Sequence, residues 1–303
     1  NPYKTITKAS TSRTAGDEVR VAKSPDPTAL TGTTAWTLND TTVTGTGTAF
    51  TTELVIGDFI SAPDGQWYEV ITIGSNTSAT LYKKYPSASA SGHSSLKLGV
   101  TDTGAAAAST TQIQVVSTSG NSSAFLYISG GWDLSTETQT GHTYFRQVHA
   151  TFTNRYGYGL YMTGKSYTNI SRLHFLRYNS GIYYNSSNNN TCTSPTCNSN
   201  GIGIYYSAST NNTCTLPTCN SNSTNGIYYY NSSGNFIYGT LSTAANSSGA
   251  IFSNYGYNFI AEASLAESTK ATGFTNYADG RVYINDMGGQ SYIYTDNGNI
   301  VSQ

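Results

Sequence analysis

The hydrophobic and polar residues between positions 159 and 261 follow a pattern that returns at a nearly constant period. Each copy is a glycine followed by apolar and tyrosine residues, and the five copies start at Gly159, Gly181, Gly203, Gly226 and Gly249. A fixed period in the twenties predicts a solenoid, in which each repeat is one coil stacked on the previous coil.

Alternation inside each copy separates two faces, because alternate side chains of a β-strand point to opposite sides. The residues on one face are Leu160, Ile182, Ile204, Ile227 and Ala250, with Met162, Tyr184, Tyr206, Tyr229 and Phe252 two places later. The residues between them, on the other face, are Tyr161, Tyr183, Tyr205, Tyr228 and Ile251. Columns of like residues spaced by one strand, about 4.8 Å, predict a parallel β-helix.

Two more columns fall in register farther along each coil. One consists of Ile170, Cys192, Cys214, Ile237 and Ile260, and the other is an asparagine column at Asn190, Asn212, Asn235 and Asn258. The coils are rich in Tyr, Thr, Ser and Asn and contain no helical stripe, so helical repeats are disfavoured. The fold class expected is therefore all-β, with coils of about 22 residues.

The amino-acid composition and net charge limit the class of protein and the partners to be expected. Charged residues make up 10% of the 303 residues, and there are 25 tyrosines, which is typical of an all-β extracellular or virion protein. A net charge of −1 gives no reason to expect nucleic acid as a partner. No run of about 18 apolar residues exists, so no membrane insertion is expected. The chain starts at Asn1 without Met or a signal-like segment, and both ends are interpreted as internal or processed.

The four cysteines repeat with the coils. Cys192 and Cys197 recur one coil later as Cys214 and Cys219. Zinc is disfavoured because the spacing within each pair is not that of a CxxC motif, and no metal or other cofactor is expected. Since Cys192 and Cys214 share a column with isoleucines, the favoured interpretation is inward thiols that fill a narrow core. Disulfides within or between coils are the alternative.

The N-terminal segment carries a family resemblance. Gly16 and Asp17 precede the alternating pattern of Val19 and Val21, which is typical of a half-exposed strand after a turn. This phrase resembles the opening coil of pectate-lyase-like right-handed parallel β-helix proteins. Residues 1–24 are therefore expected to form the first strand or coil. The resemblance implies a right-handed helix.

The pattern of hydrophobic and polar residues changes after Pro25. Short segments that alternate like β-strands predict a small antiparallel barrel or sandwich over residues 25–97. Asp64 and Gly65 mark a tight hairpin within it. The run from Gly45 to Ile60 resembles modules of phage tail and fibre proteins, which are structural or adhesive. Residues 98–261 are expected to form the parallel β-helix. Residues 262–303 are expected to form a capping segment with a terminal β-hairpin. One helix-compatible phrase, at 261–268, follows the repeats and comes before that hairpin.

Catalytic chemistry is poorly supported by the sequence. Sugar cleavage in this architecture needs paired carboxylates, or carboxylates that hold calcium beside a base. No Asp or Glu occurs from Thr138 to Ala261, so the regular coils cannot supply either. The residues left for an enzymatic alternative are Asp133, Glu137, Arg146 and His149. The spacing of His142, His149 and His174 does not match that of the ligands of a metal site.

The region from Tyr178 to Ala261 contains no Lys, Arg, Asp, Glu or His. Soluble surfaces normally use charge to prevent association, so this face is expected to be covered. Its outward tyrosine stripe, Tyr161, Tyr183, Tyr205 and Tyr228, suits three roles: packing of the coil itself, contact between subunits, or glycan binding. The prediction is a non-enzymatic structural or adhesive protein that self-associates into an oligomer or filament. The alternatives are a tailspike-like depolymerase and a carbohydrate-binding β-helix.

Overall fold

The computed structural model describes residues 6–103, 112–147, 155–238, 249–261, 274–285, 291–294 and 300–302. These residues divide into two compact units. The second unit comprises Ser24–Thr101, and the first comprises the described residues on either side of it, from the N-terminal side up to Lys23 and from Asp102 onward.

The elements before residue 98 are α1 (Ile6–Thr11), β1 (Glu18–Ala22), β2 (Thr28–Ala29), β3 (Thr33–Trp36), β4 (Thr42–Thr46), α2 (Phe50–Glu53), β5 (Phe59–Ser61), β6 (Trp67–Ser75), β7 (Ser78–Leu81), β8 (Ala90–His93) and β9 (Leu96–Lys97). The next elements are β10 (Thr101–Thr103), β11 (Gln112–Val115), β12 (Leu126–Asp133), β13 (Thr138–Gln139), β14 (Thr143–Gln147), β15 (Tyr156–Thr163), β16 (Thr168–Ser171), β17 (Leu173–Leu176) and β18 (Tyr178–Asn185). The last elements are β19 (Thr191–Thr193), β20 (Ile202–Ser207), β21 (Thr213–Thr215), β22 (Asn225–Tyr230), β23 (Phe236–Tyr238), β24 (Gly249–Ala261), β25 (Phe274–Asn285), β26 (Ser291–Tyr294) and β27 (Ile300–Ser302).

The strands of the first unit stack in parallel on three faces. Face A runs through β11, β15, β18, β20, β22 and β24. Face B runs through β1, β12, β16, β19, β21, β23 and β24. Face C contains β10, β14 and β17 and continues through single bridges at Thr196 and Thr218. This pairing confirms the predicted parallel β-helix.

The chain turns between faces at residues in the left-handed region of backbone space. One corner recurs at Tyr167, Asn189 and Asn211, with φ of 56° at each. Other corners recur at Arg172, Ser194 and Leu216 and at Arg177, Ser199 and Ser221. Because this conformation recurs at equivalent positions of successive coils, the same bends are made in each regular coil.

The repeated glycine is required because a side chain would not fit at this position, and not because the backbone adopts an angle that favours glycine. A Cβ atom placed on Gly181 would lie 2.7 Å from the Gly203 carbonyl oxygen and 2.9 Å from the Cβ atom of Cys197. The equivalent position on Gly203 would meet Cys219 at 2.9 Å. Face A and the cysteines therefore approach each other so closely that no side chain fits between them.

The inward columns form the core. Leu160, Ile182, Ile204 and Ile227 are fully buried, as are Met162, Tyr184, Tyr206 and Tyr229 two places later in each strand. The buried tyrosine rings stack along the coil axis, with 4.9 Å between Tyr184 and Tyr206 and 5.1 Å between Tyr206 and Tyr229. The two faces expected from alternation are confirmed for these four coils.

The register predicted for the fifth coil is wrong. Alignment on glycines pairs Ile227 with Ala250, whereas β24 places Ile251 opposite Ile227 and Phe252 opposite Tyr228. The pairing is therefore shifted by one position relative to the glycine alignment. The backbone register keeps an isoleucine in line with the Ile182, Ile204 and Ile227 column, and the apolar column, not the glycine, sets the pairing.

The N-terminal helix α1 was not expected from the sequence, which suggested only a strand before residue 24. It covers the free edge of β11. Thr7 Oγ1 accepts a hydrogen bond from the backbone N–H of Val115 at 2.7 Å, and Ser10 Oγ accepts one from Ser117 at 3.1 Å. Ile6 closes the core beneath it with 1% of its surface exposed. The helix therefore satisfies an edge that would otherwise be open to another strand.

The second unit is an antiparallel sheet in the order β2-β9-β5-β6-β7-β4-β3-β8. It has its own core around Trp36, Tyr68 and Tyr85, whose rings lie 5.3 to 5.9 Å apart. The predicted hairpin at Asp64 and Gly65 joins β5 to β6, and Gly65 has a φ of 77°. This unit is the inserted antiparallel β-domain expected from the sequence.

The two C-terminal segments predicted to form a hairpin, β25 and β26, pair antiparallel, and β27 pairs with β26. Their role as a cap stays a prediction. The helix-compatible phrase at 261–268 lies outside the described residues beyond Ala261. Within the described part of the chain, no helix combines the length and apolar character needed to cross a membrane.

Candidate functional site

The outward tyrosines of face A form a continuous ladder of rings, here called the tyrosine wall and made of Tyr158, Tyr161, Tyr183, Tyr205 and Tyr228. All five side chains are half-buried. Tyr183 and Tyr205 are stacked at 4.6 Å with 20° between their planes. Tyr228 meets Tyr205 edge-on at 4.9 Å. The four tyrosines predicted as a stripe are thus brought together, and Tyr158 joins them without having been predicted.

The stacking decides which parts of these rings can touch a partner. Tyr183 has Tyr158 at 4.6 Å and Tyr161 at 5.5 Å on one side and Tyr205 on the other. The Tyr183 ring is therefore stacked on Tyr205 and in tilted contact with Tyr158 and Tyr161, which reduces the ring face left for a sugar to stack on. All five rings are half-buried, so part of each still contributes to the surface of face A.

Four phenols of the wall have a raised pKa. Burial raises the pKa of Tyr183 and Tyr205, and neighbouring phenols raise both further. Burial also raises the pKa of Tyr158 and Tyr228. These four phenols consequently stay neutral at physiological pH, and from Tyr178 to Ala261 the sequence has no Lys, Arg, Asp, Glu or His.

The asparagine column lies inside the coil and holds successive turns together. Asn190 donates from its backbone N–H and from Nδ2 to Asn212 Oδ1, at 3.0 and 2.9 Å. Asn212 repeats both bonds to Asn235 Oδ1, at 3.1 and 2.9 Å. All three side chains are buried to within 1% of their surface. The fourth predicted member, Asn258, has a side chain outside the described residues.

Two further ladders were missed by sequence reasoning, although they repeat at the same step. Asn200 and Asn222 form one: Asn222 Oδ1 accepts the backbone N–H of Asn200 at 2.9 Å. Ser187, Ser209 and Ser232 form the other, with backbone N–H to Oγ bonds of 3.0 and 3.1 Å. Their signal was present as Asn and Ser at equal spacing in otherwise variable loops.

The four cysteines are buried free thiols. Cys192 and Cys214 lie in register on β19 and β21, in line with Ile170 and Ile237 as predicted. Burial raises the pKa of Cys197, and a hydrogen bond with Cys219 raises it further. Burial likewise raises the pKa of Cys214. Neutral thiols in an apolar core are poor nucleophiles and poor metal ligands, so these residues fill space.

The described residues considered for the enzymatic alternative each interact with a different partner. Asp133 accepts hydrogen bonds from the side chain and backbone of Ser135, and these bonds lower its pKa. Arg146 is bound by Asp102, with 2.7 Å between Nε and Oδ1. Glu137 is exposed and lies 3.7 Å from Arg20. A general acid needs a raised pKa, whereas the pKa of Asp133 is lowered. His149 lies outside the described residues.

A charged cluster near the first coils was also missed. Arg20 lies over the ring of Trp132, 4.2 Å from its centroid, and pairs with Glu18 at 2.9 Å. Ser129 donates to Glu18 at 2.6 Å and accepts from the Trp132 indole N–H at 2.7 Å. These groups satisfy one another, so the cluster is explained as a network that joins β1 to β12.

Two of the histidines whose sequence spacing did not suggest a metal site are in contact in the structure. His142 Nδ1 lies 2.8 Å from His174 Nε2, and the Tyr144 ring is stacked on His174 at 4.4 Å. His142 is exposed at the surface of face C, whereas His174 is buried. The interval between the two histidines in the sequence is longer than one regular coil, so the repeat pattern gave no signal for this contact.

Comparison with known proteins gives one family match. The family model described as "Periplasmic copper-binding protein (NosD)" matches residues 140–217, about a quarter of the chain. NosD is itself a parallel β-helix family, in agreement with the resemblance expected from the sequence. The part of the chain that the structure describes contains no group of three His, Cys, Asp or Glu residues arranged to hold a metal ion. Burial raises the pKa of Cys197 and Cys214, so these two thiols of the matched segment are poor ligands for copper. No curated protein matches the sequence.

Two solved structures show a distant likeness. One is the Gp54 tailspike of Acinetobacter baumannii bacteriophage AP22 in complex with A. baumannii capsular saccharide, with 11% identity and a TM-score of 0.29 over 94% of this chain. The other is the tailspike protein gp49 from Pseudomonas phage LKA1, with 10% identity and a TM-score of 0.25 over 89% of this chain. This chain spans 56% and 63% of their lengths. At these TM-scores the likeness carries no argument about activity.

Proposed function

We propose that this chain is a non-enzymatic structural or adhesive protein of a cell exterior or virion, a subunit of a filament, fibre or tail-like appendage. The observation that carries the proposal is the tyrosine wall, an aromatic surface whose rings at Tyr183, Tyr205 and Tyr228 lie in the stretch from Tyr178 to Ala261 that has no charged residue. Such a surface lacks the charges that keep soluble proteins apart. Tyrosine edges and hydroxyls combine apolar area with hydrogen-bonding groups, which suits contacts between subunits.

The N-terminal edge of face A argues for contact along the side of the solenoid. Stacking one copy on the N-terminal end of another would require the free edge of β11, and α1 occupies the hydrogen-bonding groups of that edge. The wall has no such cover among the described residues. Copies of the chain would therefore meet side by side, and their backbone ladders would supply the stiffness.

The depolymerase and the carbohydrate-binding protein are the alternatives to this proposal. The lowered pKa of Asp133 and the separate engagement of Arg146 argue against the first. The stacking of Tyr183 on Tyr205 reduces the ring face available for sugar stacking and argues against the second.

Electron microscopy of concentrated protein is expected to show particles associated along their length. The reason is that burying the tyrosine wall against a second copy removes apolar ring edges from water without opposing any charge. Dilution into low protein concentration should separate the particles. Single particles at every concentration would contradict the proposal, and so would shortening of a polysaccharide incubated with the protein.

A further inference from the structure

The histidine contact on face C links three successive coils through ring nitrogens. The backbone N–H of Thr196 donates to His174 Nδ1 at 2.8 Å. A neutral imidazole carries one hydrogen, so the hydrogen of His174 is on Nε2. That nitrogen lies 2.8 Å from His142 Nδ1 and therefore donates to it. The chain of bonds runs from Thr196 through His174 on β17 to His142, which directly precedes β14.

This arrangement has room for one hydrogen between the two rings. A second hydrogen on His142 Nδ1 would face the hydrogen of His174 Nε2. Moving the His174 hydrogen to Nδ1 would instead set it against the N–H of Thr196. Either way, protonation breaks one of the two hydrogen bonds, because a donor then faces a donor.

The described groups around His142 and His174 do not stabilise a positive charge on either ring. Burial, and to a smaller extent His142, lower the pKa of His174 to about 3. His142 is only partly covered, and that partial burial and then the Arg172 guanidinium lower its pKa. Arg172 itself donates to the carbonyl oxygen of Gly141 at 3.3 Å. Tyr144, whose pKa is raised by burial, stacks on His174 as a neutral ring. Among the described groups that act on the two histidines there is no carboxylate.

We propose that His142 and His174 form an acid-sensitive latch that joins the coil of β14 to the first regular coils, closed with one bridging hydrogen and opened by a second. The sign follows from the lowered pKa values. The open state binds protons with a pKa near the ordinary value of about 6.5, and the closed state does not. The closed latch is therefore fully stable above about pH 6.5 and loses stability as the pH falls below that value.

Nuclear magnetic resonance of histidine-labelled protein tests the closed state directly. At pH 7.5 we expect His174 to carry its hydrogen on Nε2, with a nitrogen–nitrogen coupling to His142 Nδ1 across the hydrogen bond. A hydrogen on Nδ1 of His174 would overturn the proposal.

Hydrogen exchange of the Thr196 amide tests the opening. Corrected for intrinsic exchange, wild-type protection should fall roughly 100-fold between pH 7.5 and 4.5 for each histidine released, given an open-state pKa of about 6.5. In His142→Gln the amide oxygen can still accept from His174 but takes up no proton. The slope of log protection against pH should therefore be shallower by about one in this variant. Tyr144→Phe, which keeps both imidazoles, should behave as wild type. Equal slopes in wild type and His142→Gln, or unchanged protection in wild type, would overturn the proposal.

Discussion

Replacing Asn212 with alanine is expected to lower the free energy of unfolding by about 4 kcal/mol. The side chain accepts two hydrogen bonds from Asn190 and donates to Asn235 Oδ1 and to the carbonyl oxygen of Ser187, the last at 2.8 Å. Alanine would leave the buried Asn190 N–H and the Ser187 carbonyl without these partners. Each unsatisfied buried group costs about 1–3 kcal/mol.

Urea unfolding followed by circular dichroism measures the effect. Thr193→Ser is the matched control, because Thr193 lies exposed on β19 of the neighbouring coil and a surface change of this kind stays within about 0.5 kcal/mol. A loss below about 1 kcal/mol for Asn212→Ala, the low end for an unsatisfied buried group, would show that the asparagine ladder does not hold the coils together.

Replacing Gly181 with alanine is expected to cost about 3 kcal/mol, near the upper end for overpacked cores. The added methyl group would lie 2.9 Å from both the Cys197 Cβ atom and the Asn200 Nδ2 atom, closer than atoms in proteins approach. Relief would require face A to move away from the cysteine side of the core. Since each coil packs only on its neighbours, the loss falls on one interface of the solenoid.

Gly141→Ala provides the comparison for this substitution. A Cβ atom at Gly141 would meet nothing closer than 3.6 Å, at the Lys23 side chain, so its unfolding free energy should change by less than about 1 kcal/mol. If both alanine variants unfold at the same denaturant concentration, close packing does not explain why glycine starts each coil.

The parallel β-helix could be predicted because its coils repeat both in length and in chemistry. Parallel in-register strands place equivalent residues on top of one another. The Ile182, Ile204 and Ile227 column and the Asn190, Asn212 and Asn235 column are therefore visible in the sequence as steps of 22 and 23 residues. The same logic failed at the fifth coil. There the glycine and the isoleucine give different registers, and the chain follows the isoleucine.

Contacts that do not follow the repeat could not be predicted. Tyr144 and His174 are paired strand residues whose separation in the sequence exceeds the regular step, because the coil of β14 is longer than the regular ones. Helix α1 is six residues long with buried Ile6, Ala9 and Ser10, too short for a periodic pattern to emerge. The stacking of Tyr183 on Tyr205 depends on side-chain rotation, which spacing does not specify.

Sedimentation of charge-inserted variants tests the central claim most directly, namely that copies associate through the tyrosine wall. Tyr230 follows the wall at the end of β22 with 43% of its surface exposed, and Leu216 lies at a corner after β21 with 46% exposed. Lysine at position 230 should make the wall repel its own copy, whereas lysine at 216 adds the same charge elsewhere. We predict concentration-dependent association of the wild type and of Leu216→Lys, and a loss of association in Tyr230→Lys. Identical sedimentation of all three proteins would contradict the account.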